Sequence, residues 1–284
     1  MIRIVADTTS SIPPEKALEM GVAYLPQIII FGDESYRDDT EMDSATFLKR
    51  LRAASALPKT AAPPPALYNP IYKQMVEAGD TIVVIAPSAE LSGTVRSATV
   101  AAQDFPEAKI HIIDTHTLGC GLGELIYQAV EWLKGDPNQD PDAFVARIRE
   151  MNSRERVYFA VDTLEYLYKG GRIGGAQALF GSILQVKPIL TLKDGRAEPV
   201  ESQRTKRRAM ARLKELVIEN CKNNPDAHLS LMHGDARRET EEFAEQLKAE
   251  LGIPYIRIDD LPPAILVHAG PGVIAASSFA RKSA

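Results

Sequence analysis

Apolar positions along this chain fall into short unbroken runs separated by polar clusters and by longer stretches with helical spacing. Ile2–Asp7 reads as a buried strand that ends in polar Asp7, Thr8, Thr9 and Ser10. Pro13 and Pro14 open a helix through Met20, closed by Gly21, and residues 22–31 return as one strand. Asp43 is placed to cap a helix whose Phe47, Leu48 and Leu51 share one face. A proline-rich link from Pro58 to Pro65 leads into a helix ending near Gly79. Two units of one layout follow: Thr81–Ala86 into a helix from about Thr94, then residues 109–114 into a helix through Trp132. Continuous rather than alternating strands, each followed by a helix, indicate a parallel sheet covered on both faces.

After the helix opened by Asp140-Pro141 the pattern changes. Residues 157–161 form a strand, and residues 188–192 and 197–202 flank Asp194-Gly195, a hairpin turn signal. Residues 229–232 lead into a helix over 237–251, then come strands at 255–258 and 265–268. A hairpin mixed with crossovers predicts a second, mixed-sheet α/β domain. The expected division is 1–153 for a parallel-sheet N-terminal domain and 154–284 for the C-terminal one.

Composition narrows the function. The chain has 284 residues and a formal net charge of −5, with 45% apolar and 25% charged residues, which suits a globular protein of two-domain length. A mildly acidic chain lacks the basic footprint that a nucleic acid partner needs. No apolar run reaches the length of a membrane span, and Asp7 interrupts the start too early for a secretory signal. The expected location is the cytoplasm, where Cys120 and Cys221, which share no close motif, stay reduced.

Four polar clusters carry candidate chemistry. Leu91-Ser92-Gly93-Thr94 sits between a strand and a helix N-terminus, where it fits either an anion site or an ordinary helix cap. Gly170-Gly171-Arg172-Ile173-Gly174-Gly175 fits either a loop that nests an anion against Arg172 or a flexible connection. His268, before Gly270-Pro271-Gly272, faces a ligand or is a satisfied structural residue. Thr60, in Lys59-Thr60-Ala61-Ala62-Pro63, donates to a ligand or belongs to a stiff linker. Other patterns fail. Gly119-Cys120-Gly121-Leu122-Gly123-Glu124 has Glu124 where a dinucleotide fingerprint needs its third glycine, and no Walker loop exists. The histidines lack metal-ligand spacing, and Ser92 lacks a nucleophile-elbow frame. The run Arg204-Thr205-Lys206-Arg207-Arg208 is a solvated helix start, or a face for an acidic partner or a transient contact with an anionic membrane.

Taken in order, Asp7-Thr8-Thr9, Thr60, Leu91-Ser92-Gly93-Thr94, Asp114-Thr115, Leu167 to Ile173, Lys187-Pro188-Ile189-Leu190 and His268-Ala269-Gly270-Pro271-Gly272 resemble the DegV family, from residue 2 to about 279. The resemblance implies a two-domain α/β protein without a cofactor. It would bind one long-chain fatty acid in a tunnel and present the carboxylate to a separate ATP-dependent fatty acid kinase for acyl phosphate formation. Carried over by motif, Thr60, Ser92, Arg172 and His268 would ring the carboxylate, with backbone support from Gly93 and Thr94. Two departures stand out: Ala61-Ala62 replaces the family's Ser-Gln after the threonine, and Ser11 replaces an acid near the N-terminus. The competing readings are an enzyme acting on a small phosphorylated or carboxylated metabolite, and a regulatory lipid-binding protein that signals through the basic run.

Overall fold

A computed structural model describes residues 1–180 and 186–281. In chain order its elements are β1 (Ile2–Asp7), α1 (Pro14–Glu19), β2 (Ala23–Leu25), β3 (Ile28–Phe31), β4 (Glu34–Arg37), α2 (Ser44–Ala53), β5 (Lys59–Ala61), α3 (Pro65–Glu77), β6 (Thr81–Ala86), α4 (Thr94–Ala102), β7 (Ile110–Asp114), α5 (Cys120–Gly135) and α6 (Pro141–Ser153). There follow β8 (Glu155–Ala160), α7 (Glu165–Lys169), β9 (Lys187–Lys193), β10 (Arg196–Gln203), α8 (Lys206–Cys221), β11 (Ser230–His233), α9 (Arg237–Leu251), β12 (Arg257–Asp260), α10 (Pro263–Ala269) and β13 (Ile274–Phe279). Short 3-10 turns cover Thr8–Ser10 and Gly174–Leu179.

Three sheets organise the chain. β2-β1-β6-β7 is wholly parallel. Its strands are continuous apolar runs because both faces are covered, by α1, α5 and α6 on one side and by α3 and α4 on the other. β10-β9-β8-β13-β11-β12 is mixed, antiparallel except for the β11–β12 edge. One face packs on α8 and α9; the other faces α2, α10 and the small antiparallel sheet β4-β3-β5. The chain is thus α/β with one parallel and one mixed sheet, as the strand patterns indicate.

Several elements depart from the sequence reading, each for a local reason. Residues 22–31 are two strands in two sheets. Pro26 has no N–H for a ladder, and the Gln27 N–H turns aside to Asp38 Oδ1 at 2.8 Å and Thr8 Oγ1 at 3.1 Å. The chain therefore leaves the parallel sheet at Leu25 and enters the small sheet at Ile28. The link after Pro58 contains β5, in which Thr60 pairs with Ile29. Residues 265–268 are helical, not extended: Pro263 opens α10 at its first turn and Gly270, at φ +73°, ends it. Every residue from Pro263 to Val267 is buried, so a helix inserted into the core shows no polar face and reads like a strand.

Candidate functional site

Between the mixed sheet and the elements facing it lies a cavity. Its walls are mainly apolar, with Val157, Phe159, Leu192, Met232, Ile265 and Ala275 among them. The polar groups lining it are Thr9, Gln27, Thr60, Ser92, Arg172 and His268. Residues from both halves of the chain, most of them in loops and turns, therefore meet at one polar end.

Four of the six residues singled out in the sequence line this cavity. Thr60 is set by its pairing in β5, and its Oγ1 lies 2.9 Å from His268 Nε2 on the last turn of α10. Burial, reinforced by the positive charge of Arg172, lowers the His268 pKa to about 4, so the imidazole is neutral near pH 7. Its Nδ1 is buried without a partner and lies against Gly170, where a Cβ would approach to 2.2 Å. Arg172 is half-buried, donating from Nε to Leu91 O at 3.1 Å and from Nη1 to Gly170 O at 2.8 Å. Among the described residues no carboxylate pairs with it, which leaves an uncompensated cation at the polar end of an apolar cavity.

Ser92 connects the cavity lining to a second polar layer behind it. Its Oγ is 3.0 Å from Thr94 Oγ1 and accepts the Thr94 N–H at 3.3 Å. Thr94 is buried behind Ser92 and does not line the cavity; its hydroxyl donates to Asp7 Oδ2 at 2.7 Å. Gly93 is exposed at the start of α4 and does not line the cavity either. Gln27 Nε2 donates to Asp7 Oδ2 at 2.7 Å and to Thr94 Oγ1 at 3.0 Å. Sequence reasoning missed Gln27, whose only signal was a proline before it inside an apparent strand. Thr9 was visible as part of the Asp7-Thr8-Thr9 cluster.

Contacts across the two halves hold this end in place: Arg196 pairs with Glu90 at 2.6 Å, and Ser88 Oγ donates to Gly195 O at 2.8 Å. The glycines of the arginine loop serve packing as well. A Cβ on Gly174 would meet Ala197 O at 2.3 Å, so the second glycine pair lies flat against β10. In the glycine run that opens α5, a Cβ on Gly123 would meet Ser10 O at 2.5 Å, a helix-packing requirement rather than a nucleotide site. The basic run caps α8, where Thr205 Oγ1 accepts the Arg208 N–H at 3.3 Å. Its Lys206 pairs with Glu239 at 2.7 Å, whereas Arg204, Arg207 and Arg208 are exposed. Among the described residues no helix is long and apolar enough to cross a membrane, and no cluster of three or more His, Cys, Asp or Glu side chains has the arrangement to hold a metal ion.

Fold and cavity define an α/β protein with a deep apolar pocket closed by a cationic, hydroxyl-rich end. The chain belongs to the DegV family: the model of that family, described as "Uncharacterised protein, DegV family", matches residues 1–281. A DegV domain-containing protein of Streptomyces coelicolor is 34% identical over 275 residues, 96% of each chain. Among solved structures, a fatty-acid-binding DegV family protein of Thermus thermophilus superposes with a TM-score of 0.88 at 30% identity, covering 98% of this chain and 99% of that one. DegV of Bacillus subtilis, described as a fatty acid binding protein, gives 0.89 at 28% identity with the same coverage.

Proposed function

We propose that this protein binds one long-chain fatty acid and presents its carboxylate to a separate ATP-dependent kinase, which forms the acyl phosphate. The observation that carries the reading is the guanidinium of Arg172, which has no carboxylate partner among the described residues, at the polar end of a mainly apolar cavity. Such a site fits an anion attached to a long apolar tail. Thr60, Ser92, Arg172 and His268 surround the carboxylate, with backbone support from Gly93 and Thr94. The tail supplies most of the affinity, at about 0.8 kcal/mol per buried methylene, so roughly a dozen methylenes outweigh the head group. The similar proteins of Thermus thermophilus and Bacillus subtilis, both described as binding fatty acids, support the same ligand.

The kinase step is assigned to a partner because the chain carries no Walker loop. On this reading the protein is a carrier without a cofactor, and residues 1–153 and 154–284 act as two domains closing over the ligand. An enzyme of small carboxylated metabolites would leave the apolar walls without a role. Competition titrations of delipidated protein with saturated fatty acids of increasing length separate the two readings. Affinity is expected to rise about fourfold per methylene until the cavity is filled. Equal affinity for acetate and palmitate would exclude the carrier reading.

A further inference from the structure

Asp7, at the end of β1, is buried and surrounded by donors. Its Oδ1 accepts the Thr9 N–H at 2.9 Å and the Thr9 hydroxyl; its Oδ2 accepts Thr94 Oγ1–H at 2.7 Å and Gln27 Nε2–H at 2.7 Å. Four donors and no cation describe an ionised carboxylate. Burial pushes its pKa above the ordinary range, and the four hydrogen bonds only partly offset this. Asp7 therefore holds its charge under tension.

The Thr94 proton, committed to Asp7, leaves Thr94 Oγ1 an acceptor toward Ser92, 3.0 Å away, itself a residue of the cavity lining. The hydroxyls thus point from the ligand site inward: Ser92 to Thr94 to Asp7. A carboxylate at the ligand site calls for Ser92 to donate outward, which breaks its bond to Thr94 unless the hydroxyl chain reverses.

We propose that Asp7 is the positioning residue for the head-group proton: fatty acid binding reverses the Ser92–Thr94 hydroxyl chain and leaves a proton on Asp7. The inference rests on the fatty acid reading above. If the ligand enters as the neutral acid, its O–H bond breaks as Ser92 accepts the proton. The Ser92 proton passes to Thr94 Oγ1 and the Thr94 proton to Asp7 Oδ2. Three O–H bonds break and three form, a carboxylate and a protonated Asp7 remain, and no electrons move. If the ligand enters as the anion, the same end state requires one proton from solvent. Either way Ser92 finishes as a donor to the carboxylate, and the two negative charges never coexist.

The other titratable and charged groups around this network are Asp38, Tyr24, Tyr68, Arg172 and His268, of which only Asp38 and His268 can accept the proton. Asp38 reaches the network through Thr8, whose Oγ1 donates to Asp38 Oδ1 at 2.7 Å. Tyr24 on β2 and Tyr68 on α3 are phenols that burial keeps neutral. Arg172 and His268 line the same cavity as Ser92.

The test is calorimetric titration of delipidated full-length protein with palmitate at about pH 8, in buffers of different ionisation enthalpy. Wild type is expected to take up about one proton per complex, and Asp7→Asn none. Equal uptake by both proteins overturns the proposal, because the proton would then rest on Asp38 or His268. Absence of any binding by wild type would instead sink the fatty acid reading. Should Asp7→Asn not fold, difference infrared spectra of wild type with carboxyl-labelled palmitate decide the matter. A protonated-carboxyl band that appears on binding and ignores the ligand's isotope is expected; its absence, or a shift with the label, overturns the proposal.

Discussion

Replacing Gly170 by alanine would place a Cβ 2.2 Å from His268 Nδ1, whereas ordinary contact begins at 3.4 Å. The imidazole must retreat by about 1.2 Å to accommodate it. A hydrogen bond of 2.9 Å between His268 Nε2 and Thr60 Oγ1 does not survive a displacement of that size. The φ of −77° at Gly170 suits alanine, but the same Cβ would lie 2.9 Å from Tyr166 O, so the end of α7 must shift as well. Losing one hydrogen-bonded arm of a site for a charged head group costs about 1.5–3 kcal/mol, or roughly 10–150-fold in affinity. Titration of delipidated Gly170→Ala with a fluorescent fatty acid reads this loss, and the matching fatty alcohol, which lacks the carboxylate, serves as a control for the tail. Affinity should fall for the acid and hold for the alcohol. Wild-type affinity for the acid would refute the role given to the Thr60–His268 pair.

Arg172→Ala should abolish acyl phosphate formation with the partner kinase while leaving thermal stability unchanged; undiminished turnover would remove Arg172 from the site. Burial pushes the Glu155 carboxyl, held by Ser277 Oγ and Thr117 Oγ1, up to about 7 from 4.5. Since the folded state binds this proton more tightly, its contribution is complete below about pH 4.5 and is lost as pH rises through about 7. That amounts to about 3 kcal/mol, so Glu155→Gln should raise Tm at alkaline pH and flatten the slope, leaving a residual slope of the same sign from Asp38. Thermal unfolding across pH measures both. Burial also pushes the Cys120 thiol up to about 12 and that of Cys221 up to about 11. Both should resist alkylation in the folded protein and react on addition of denaturant; rapid modification of native protein would contradict their enclosure.

Elements with local punctuation were legible in the sequence. Asp43 and Asp140 cap α2 and α6 through their side chains, and Asp194-Gly195 turns the β9–β10 hairpin with φ of +49° and +78°. Elements decided by tertiary surroundings were not. α10 lies inside the core, so its burial erases the helical period that would have distinguished it from a strand. β2 and β3 run together because the break at Pro26-Gln27 is made by Asp38 and Thr8, which are distant in sequence. Of the residues that line the cavity, Thr60, Ser92, Arg172 and His268 were singled out by residue type and motif order. Gln27 was not, because its side chain matters through Asp7 and Thr94, partners 20 and 67 positions away. The apolar wall was likewise invisible, since its residues read as ordinary core.

The central claim, one long-chain fatty acid per chain, is tested most directly by mass spectrometry of an organic extract of the purified protein. The account predicts long-chain fatty acid in near-equimolar amount, lost on delipidation and restored on incubation with palmitate. An extract free of fatty acid, from protein that also takes up none after delipidation, would contradict it.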